Sequence, residues 1–159
     1  MRRGIAGVVI TRADPSSRDA QRCLAHYFAE LAVRFPGGYD PNADEAAALD
    51  EFAAPQGCFL IARLDEEPVG CGALRSFTPQ VGEIKRMWVA AKVRGHGVAR
   101  HLLTELEQSA RDRGMRAVRL DTHEALTEAI RLYHACGYRE IAPFNDNPYA
   151  HRWFEKSLR

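Results

Sequence analysis

One segment constrains the fold of this chain more than any other: a strand-like run leads through a basic, glycine-spaced turn directly into an amphipathic helix. The segment covers residues 87–99, with Gly95 and Gly97 in the turn. The first amides of a helix have no partner inside it, and the helix dipole adds partial positive charge there. Such a turn predicts an anion-binding site, because the two glycines let a ligand approach the backbone.

Two common nucleotide-binding patterns do not fit this turn. A dinucleotide-binding turn has the pattern Gly-x-Gly-x-x-Gly, but the position of its third glycine is occupied by Arg100. A phosphate-binding loop of the NTPase type requires Lys and then Ser or Thr after its last glycine, and Gly97 is followed by Val98 and Ala99. The anion is therefore expected to belong to another class of ligand.

The turn does match the pattern Gln/Arg-x-x-Gly-x-Gly/Ala, which is filled by Arg94, Gly97 and Ala99. Through this pattern the chain resembles the GNAT superfamily of N-acetyltransferases, in which it marks the acyl-coenzyme A site. Residues 83–89 resemble the fourth strand of that family, and residues 129–138 match its Ala-Ile-x-Leu-Tyr-x-x-x-Gly-Phe/Tyr segment.

The resemblance covers about residues 7–158, and Leu126 stands where many members carry asparagine. It implies an α/β (α+β) GNAT fold, with a mixed central β-sheet whose parallel central strands splay apart between flanking helices. It also implies acetyl-coenzyme A (acetyl-CoA) as the acetyl donor. The residues implied in binding this cofactor are Met87, Trp88, Val89, Arg94, Gly95, His96, Gly97, Val98, Ala99 and Arg100.

Apolar spacing along the chain predicts the individual elements. Asp14 followed by Pro15 predicts the start of the first helix, and Gly114 predicts the end of a later one. The helix after the glycine turn lies between two strands, and a crossover of this length links parallel strands. The predicted strands cover residues 5–10, 58–64, 69–75, 83–89, 117–122, 138–142 and 150–158, and the predicted helices cover residues 15–35, 46–52, 98–113 and 129–136.

Acetyl transfer from a thioester to an amine requires an uncharged amine, hydrogen-bond donors for the oxyanion and a proton for the departing thiolate. By its place in the family pattern Tyr133 donates that proton, although its spacing alone fits a core tyrosine. Asp121 ends the strand after the crossover and is the expected base, acting through water, with Glu83 and His123 as alternatives. Backbone amides of a β-bulge in residues 87–89 are expected to stabilise the oxyanion.

Several cationic and aromatic residues are candidates for the acceptor site. A guanidinium group binds both oxygens of a carboxylate, so these arginines favour an acceptor with a carboxylate beside its amine, although any one of them fits a surface charge as well. The candidates are Arg34, Tyr39, Arg75, Arg86 and His123.

The expected function is direct transfer of an acetyl group from acetyl-CoA to a primary amine of a small-molecule or amino-acid-like acceptor. Two alternatives remain open at this point. One is acetylation of a protein lysine or N-terminus, and the other is a sensor that binds acyl-coenzyme A without turnover. A homodimer is common in the family and is possible here.

Composition limits the remaining classes. At 159 residues with 46% hydrophobic residues, the chain is expected to form a single domain, residues 1–159. The 22 basic and 21 acidic residues nearly cancel, so nucleic-acid and membrane partners are not expected. The four cysteines are far apart and lie in apolar sequence, which favours reduced thiols over a metal site. With no apolar run of about 18 residues, a cytoplasmic protein is expected.

Overall fold

A computed structural model describes residues 7–42 and 49–159 as seven strands, three α-helices and two short 3₁₀ turns. The strands are β1 (Val8–Arg12), β2 (Cys58–Leu64), β3 (Glu67–Thr78), β4 (Val81–Val89), β5 (Ala117–Thr122), β6 (Arg139–Ile141) and β7 (Arg152–Ser157). The helices are α1 (Arg18–Arg34), α2 (Val98–Asp112) and α3 (Thr127–Ala135), and the 3₁₀ turns are Leu49–Phe52 and Ala91–Val93.

The strands form one mixed sheet in the order β1-β2-β3-β4-β5-β7-β6. All neighbouring strands are antiparallel except β4 and β5, which are linked by the crossover through α2 and run parallel. These two strands pair only from Val81 with Ala117 to Glu83 with Arg119, although β4 continues to Val89. They splay apart beyond that point, which confirms the mixed sheet with separated central strands.

Helices cover both faces of the sheet because each has an apolar stripe to bury. On one face, Leu102, Leu103 and Leu106 of α2 are at most 1% exposed and belong to a core that also contains Tyr133 of α3. On the other face, α1 packs against β2 and β3 in a second, smaller core. The cavity described below lies between the separated ends of β4 and β5.

A β-bulge interrupts β4 beside the splay. Cys71 pairs with Trp88 and Ala73 pairs with Lys85, so that two residues of β4, Arg86 and Met87, lie opposite the single residue Gly72. The bulge places Arg86 in the left-handed region at φ 62°. A Cβ atom on Gly72 would lie 2.7 Å from the sulfur of Met87 and 2.9 Å from Leu106, so only glycine permits this close approach. The family resemblance implied a bulge in residues 87–89, and the structure places it at Arg86 and Met87.

The start of the first helix differs from the prediction. The carboxylate of Asp14 accepts hydrogen bonds from the backbone amide (2.8 Å) and hydroxyl (2.7 Å) of Ser16, which form a turn ahead of the helix. Ser17 is the N-cap instead, since its hydroxyl accepts from the amide of Ala20 at 3.2 Å. Such local side-chain bonds compete with helix formation, which explains the later start at Arg18.

Two other predicted elements extend beyond the described residues. Of the strand predicted over residues 5–10, the structure describes residues 7–10, and β1 extends two residues further to Arg12. Of the helix predicted over residues 46–52, only the 3₁₀ turn Leu49–Phe52 is described. Among the described helices, none combines the length and apolar character needed to cross a membrane. Within residues 7–42 and 49–159, no group of three or more His, Cys, Asp or Glu side chains is arranged to hold a metal ion.

Candidate active site

A cavity of about 640 Å³ occupies the space between the separated strands β4 and β5. The end of α1, the glycine turn and the first residues of α3 complete its walls. Most residues that the sequence predicted for the site line this one cavity. They are Arg34, Tyr39, Arg86, Met87, Trp88, Val89, Arg94, Gly95, Gly97, Val98, Ala99, Arg100, Asp121, His123 and Tyr133.

The glycine turn presents open backbone to the cavity. Gly95 (φ 82°) and Gly97 (φ 81°) are both in the left-handed region, and Gly97 is the N-cap of α2 without a side-chain cap. The first helical hydrogen bond runs from the amide of His101 to the carbonyl of Gly97 at 3.0 Å, so the amides ahead of it have no partner within α2. A Cβ atom on Gly95 would meet no atom within 4 Å. The turn therefore has both the donors and the space for an anion.

A chain of ion pairs joins the three elements around the turn. The guanidinium of Arg94 pairs with Glu30 of α1 and donates to the carbonyl of Val89 at 2.9 Å. Arg34, one turn further along α1, pairs with Glu30 at 3.2 Å and with the carboxylate of Glu128 in α3. The hydrogen bond from Arg34 lowers the pKa of Glu128. The charge of Arg34 is thus balanced by two carboxylates.

Tyr133 lies in the cavity wall with its hydroxyl available. Its ring packs against Tyr138 and Phe154, each with ring centroids 5.8 Å away. Within the described part of the chain, its hydroxyl makes no hydrogen bond to another residue. Burial, reinforced by the nearby Tyr27 and Asp121, raises the pKa of the Tyr133 phenol. The phenol is therefore protonated at neutral pH and can donate a hydrogen bond into the cavity.

Asp121 is held in a fixed orientation at the end of β5. One carboxylate oxygen accepts from the side-chain amide of Asn145 at 2.6 Å, and the other accepts from that of Asn147 at 3.4 Å. The Asn145 oxygen accepts in turn from the indole of Trp153 at 3.0 Å. The sequence analysis did not single out these asparagines. Their loop at residues 143–148 reads as a turn, and only the paired strands β5 and β7 bring it to Asp121.

His123 is a neutral donor in this structure. Its Nδ1 accepts a hydrogen bond from the backbone amide of Ala125 at 2.9 Å, so the proton of the neutral ring is on Nε2. Burial, and then the neighbouring His151, lower the pKa of His123. A ring with this tautomer has no free lone pair with which to accept a proton from an amine.

Three of the predicted site residues lie outside the cavity wall. Glu83 is only 1% exposed, and its carboxylate is bonded to Arg75 at 2.8 Å and lies 3.7 Å from the ammonium of Lys85. Arg75 also pairs with Glu51 at 2.8 Å. His96 is exposed between the two glycines of the turn. Glu83 and Arg75 thus belong to a cluster of ion pairs on the sheet.

Four aromatic rings, referred to below as the aromatic wall, line one part of the cavity: Phe35, Tyr39, His123 and Tyr149. The rings of Phe35 and His123 stack with centroids 3.9 Å apart, and those of Tyr39 and Tyr149 are 4.7 Å apart. Sequence analysis identified Tyr39 and His123 but not the other two. Their positions in irregular segments carried no periodic signal.

Comparison with known proteins agrees with this geometry. The family model described as Acetyltransferase (GNAT) family matches residues 24–138. An IAA acetyltransferase of Azospirillum brasilense is 36% identical over 138 residues, which cover 86% of this chain and 88% of that protein.

Solved structures share the fold at lower identity. A GNAT-family acetyltransferase of Staphylococcus aureus Mu50 has a TM-score of 0.80 at 18% identity, covering 96% of this chain and 99% of that one. An aminoglycoside 6'-N-acetyltransferase complexed with coenzyme A has a TM-score of 0.68 at 16% identity, covering 95% and 97%. The family model matches most of this chain. The chain therefore belongs to the GNAT family of acetyltransferases and is an acyltransferase.

Proposed function

We propose that this protein transfers an acetyl group from acetyl-CoA directly to a primary amine of a small, amino-acid-like molecule. The proposal rests on one observation: the same cavity is lined by the glycine turn, Tyr133, Asp121 and the aromatic wall. One space thus offers an anion-binding end, a phenol donor and a carboxylate. The similarity to an IAA acetyltransferase and to an acetyltransferase complexed with coenzyme A supports this assignment.

The turn is suited to the pyrophosphate of the cofactor. The open amides at the start of α2 supply donors, and the space beside Gly95 admits a phosphate oxygen. Arg100 adds positive charge after the glycines, whereas Arg94 before them is paired with Glu30. When bound, acetyl-CoA supplies a thioester whose carbonyl carbon is open to attack.

The remaining residues have distinct roles in the transfer. Asp121, acting through water, removes a proton from the acceptor ammonium, and the free amine then forms the new carbon–nitrogen bond. Backbone amides of Met87, Trp88 and Val89, at and beside the bulge, stabilise the oxyanion, and the carbon–sulfur bond breaks. Tyr133 donates a hydrogen bond to the departing thiolate. The raised pKa keeps the phenol protonated as the thiolate departs. After the attack the nitrogen releases its second proton and the thiolate takes one up, so that the products are a neutral amide and the thiol of coenzyme A.

At the acceptor end, Arg86 is the candidate partner for a carboxylate beside the amine. The residue lines the cavity and is 6% exposed, and its guanidinium carbon lies 5.6 Å from the ring centre of Phe28. A guanidinium in apolar surroundings pairs strongly with a carboxylate. Arg34, which pairs with Glu30 and Glu128, and Tyr39 are further candidates.

The decisive experiment is a screen for coenzyme A release from acetyl-CoA with free amino acids, simple amines and lysine-containing peptides. We expect release with a small amine. Release only with peptides would favour a protein acetyltransferase, and binding of acetyl-CoA without release by any acceptor would favour the sensor.

The role of Asp121 is tested separately with Asp121→Asn. If the carboxylate takes the proton of the amine, kcat/KM should fall most at pH values below the pKa of the acceptor amine. At higher pH the amine is already uncharged and the deficit should shrink. An equal deficit at every pH would assign Asp121 to positioning, and no deficit would remove it from the mechanism.

A further inference from the structure

We infer that the acceptor carries an aromatic ring, so that the substrate class is an aromatic amino acid. The inference rests on the proposed function and extends it from any small amine to one class of side chain. The observation that carries it is the aromatic wall, whose four rings all line the cavity beside the candidate base.

The aromatic wall is assembled from three separate segments. Phe35 caps the end of α1 and Tyr39 lies in the loop after it, His123 follows β5, and Tyr149 precedes β7. The ring of Phe35 is stacked on His123 and lies 5.7 Å from both Tyr39 and Tyr149. The backbone amide of Asp40 donates to the hydroxyl of Tyr149 at 2.8 Å and ties two of the segments together. The rings thus form a connected surface.

Ordinary core packing does not account for the whole wall. Phe35 and His123 are packed, at 6% and 9% exposure, but Tyr39 and Tyr149 remain half-buried while facing a cavity. Aromatic surface left open in a cavity gains free energy when an apolar ligand covers it. Planar rings favour offset-stacked or edge-to-face contacts with another ring over contacts with a linear chain. The partly exposed rings that line the cavity therefore favour an aromatic ligand.

The wall also lies at a suitable distance from the residue that handles the amine. His123 is two residues beyond Asp121 along an extended strand end, which separates the two side chains by roughly 7 Å on one face. Tyr149 is two residues beyond Asn147, whose amide holds Asp121. In an aromatic amino acid, two carbon atoms separate the amine nitrogen from the ring. An amine near Asp121 can therefore place its ring on the wall.

A negatively charged carboxylate distinguishes an aromatic amino acid from a plain aromatic amine. Arg86 lines the same cavity and is the candidate partner for a carboxylate. An amino acid would use three features of the cavity together: Asp121 for the amine, Arg86 for the carboxylate and the wall for the ring. A protein lysine would present a linear aliphatic chain that uses neither Arg86 nor the ring faces.

The experiment compares kcat/KM for phenylalanine, leucine, alanine and phenethylamine, using coenzyme A release. In the wild-type protein we expect phenylalanine to exceed leucine by roughly two- to tenfold, on the scale of one favourable ring contact. Phenethylamine, which keeps the ring and lacks the carboxylate, should also fall below phenylalanine. The leucine comparison tests the ring, and the phenethylamine comparison tests the carboxylate.

Variants then test which rings cause the preference for phenylalanine over leucine. Tyr149→Leu and Tyr39→Leu replace half-buried rings with apolar side chains, and each should reduce the phenylalanine-to-leucine ratio severalfold. Phe77→Leu is the matched control, because Phe77 is a partly exposed aromatic residue, 38% exposed, that does not line the cavity. It should leave the ratio unmoved. A thermal unfolding measurement checks that each variant is folded.

The possible failures are distinguishable. If amines release coenzyme A but leucine equals phenylalanine, or if both tyrosine variants keep the wild-type ratio, the aromatic class is wrong and the proposed function stands. If phenethylamine equals phenylalanine while leucine is poor, the ring is right and the amino-acid class is wrong. If no small amine releases coenzyme A, the proposed function fails and the inference fails with it.

Discussion

At the scale of single residues, two tyrosines of one core differ in the surroundings of their hydroxyl groups. Tyr133 and Tyr138 are both buried and their ring centroids are 5.8 Å apart. The hydroxyl of Tyr138 donates to the carboxylate of Glu107 at 2.7 Å, and Glu107 also pairs with Lys156 at 2.9 Å. The hydroxyl of Tyr133 belongs to the cavity wall instead. We therefore expect a catalytic role for Tyr133 and a structural role for Tyr138.

Tyr133→Phe should lower kcat by roughly ten- to ten-thousandfold, because the departing thiolate loses its donor. The affinity for acetyl-CoA and the free energy of unfolding should change little. Tyr138→Phe is the matched control and should leave kcat little changed. It should lower the free energy of unfolding by about 1–3 kcal/mol, because the buried Glu107 loses one hydrogen-bond donor. Steady-state kinetics and urea unfolding of both variants test the pair. Turnover of Tyr133→Phe within about twofold of wild type would contradict the assignment.

Protonation of His123, a member of the aromatic wall, makes the free energy of unfolding depend on pH. Its pKa in the folded protein is below the ordinary value of 6.5, so the unfolded chain binds a proton more readily than the folded one. Stability from this group is complete above pH 6.5 and is lost as the pH falls through the lower folded-state pKa. His151 and Glu124 are the neighbouring titratable groups. His123→Gln should therefore lose less free energy of unfolding than wild type between pH 7 and pH 5. Equal losses in urea titrations would contradict this.

At the scale of elements, the helix α2 has a glycine with positive φ near each end. Of Gly95 and Gly114, only Gly95 lines the cavity. Gly95 (φ 82°) precedes the helix and lines the cavity, whereas Gly114 (φ 78°) follows it and does not. A Cβ atom at either position would have no neighbour within 4 Å. The two glycines therefore have the same backbone conformation and steric freedom but differ in location.

Gly95→Ala and Gly114→Ala should each destabilise the fold by about 1–2 kcal/mol, because both force alanine into the left-handed region. Only Gly95→Ala should also weaken acetyl-CoA binding, by roughly tenfold or more, because its methyl group enters the space proposed for a phosphate. Calorimetric titration of both variants measures the difference. Equal affinities would exclude the turn as the pyrophosphate site.

At the scale of the whole molecule, the cavity results from the way in which the central strands pair. The two parallel strands share only the pairs from Val81 with Ala117 to Glu83 with Arg119, and both continue past the last of them. The space between them is lined by residues from both sides and by α1 above it. A ligand there contacts elements that are distant in sequence, so its binding should stabilise the fold as a whole.

Acetyl-CoA at about one hundred times its dissociation constant should stabilise the protein by about 2.7 kcal/mol. For a chain of this size, this corresponds to a rise in Tm of roughly 5–11 °C. Differential scanning fluorimetry with increasing acetyl-CoA measures the shift, and the Gly95→Ala variant should need more cofactor for the same rise. The absence of a shift in the wild type at millimolar cofactor would argue against this binding site.

The sequence by itself determined the local order of the elements and the glycine turn before α2. Period-2 and period-3.6 apolar patterns depend on neighbouring residues, so the central strands, α2 and α3 could be predicted within a few residues. Gly95 and Gly97 carried a local signal as well, since their positive φ values are a property of the turn. The first helix was misplaced at Asp14, where a competing hydrogen bond to Ser16 decided the start.

Only the tertiary structure decided what surrounds the catalytic candidates. Asn145 and Asn147 reach Asp121, and Phe35 meets Tyr149, through contacts between segments far apart in sequence. The same holds for Glu83, whose strand position left its direction open until the ion pairs with Arg75 and Lys85 fixed it away from the cavity wall. Such contacts depend on sheet register and strand splay, which arise from the packing of the whole chain and leave no periodic trace in the sequence.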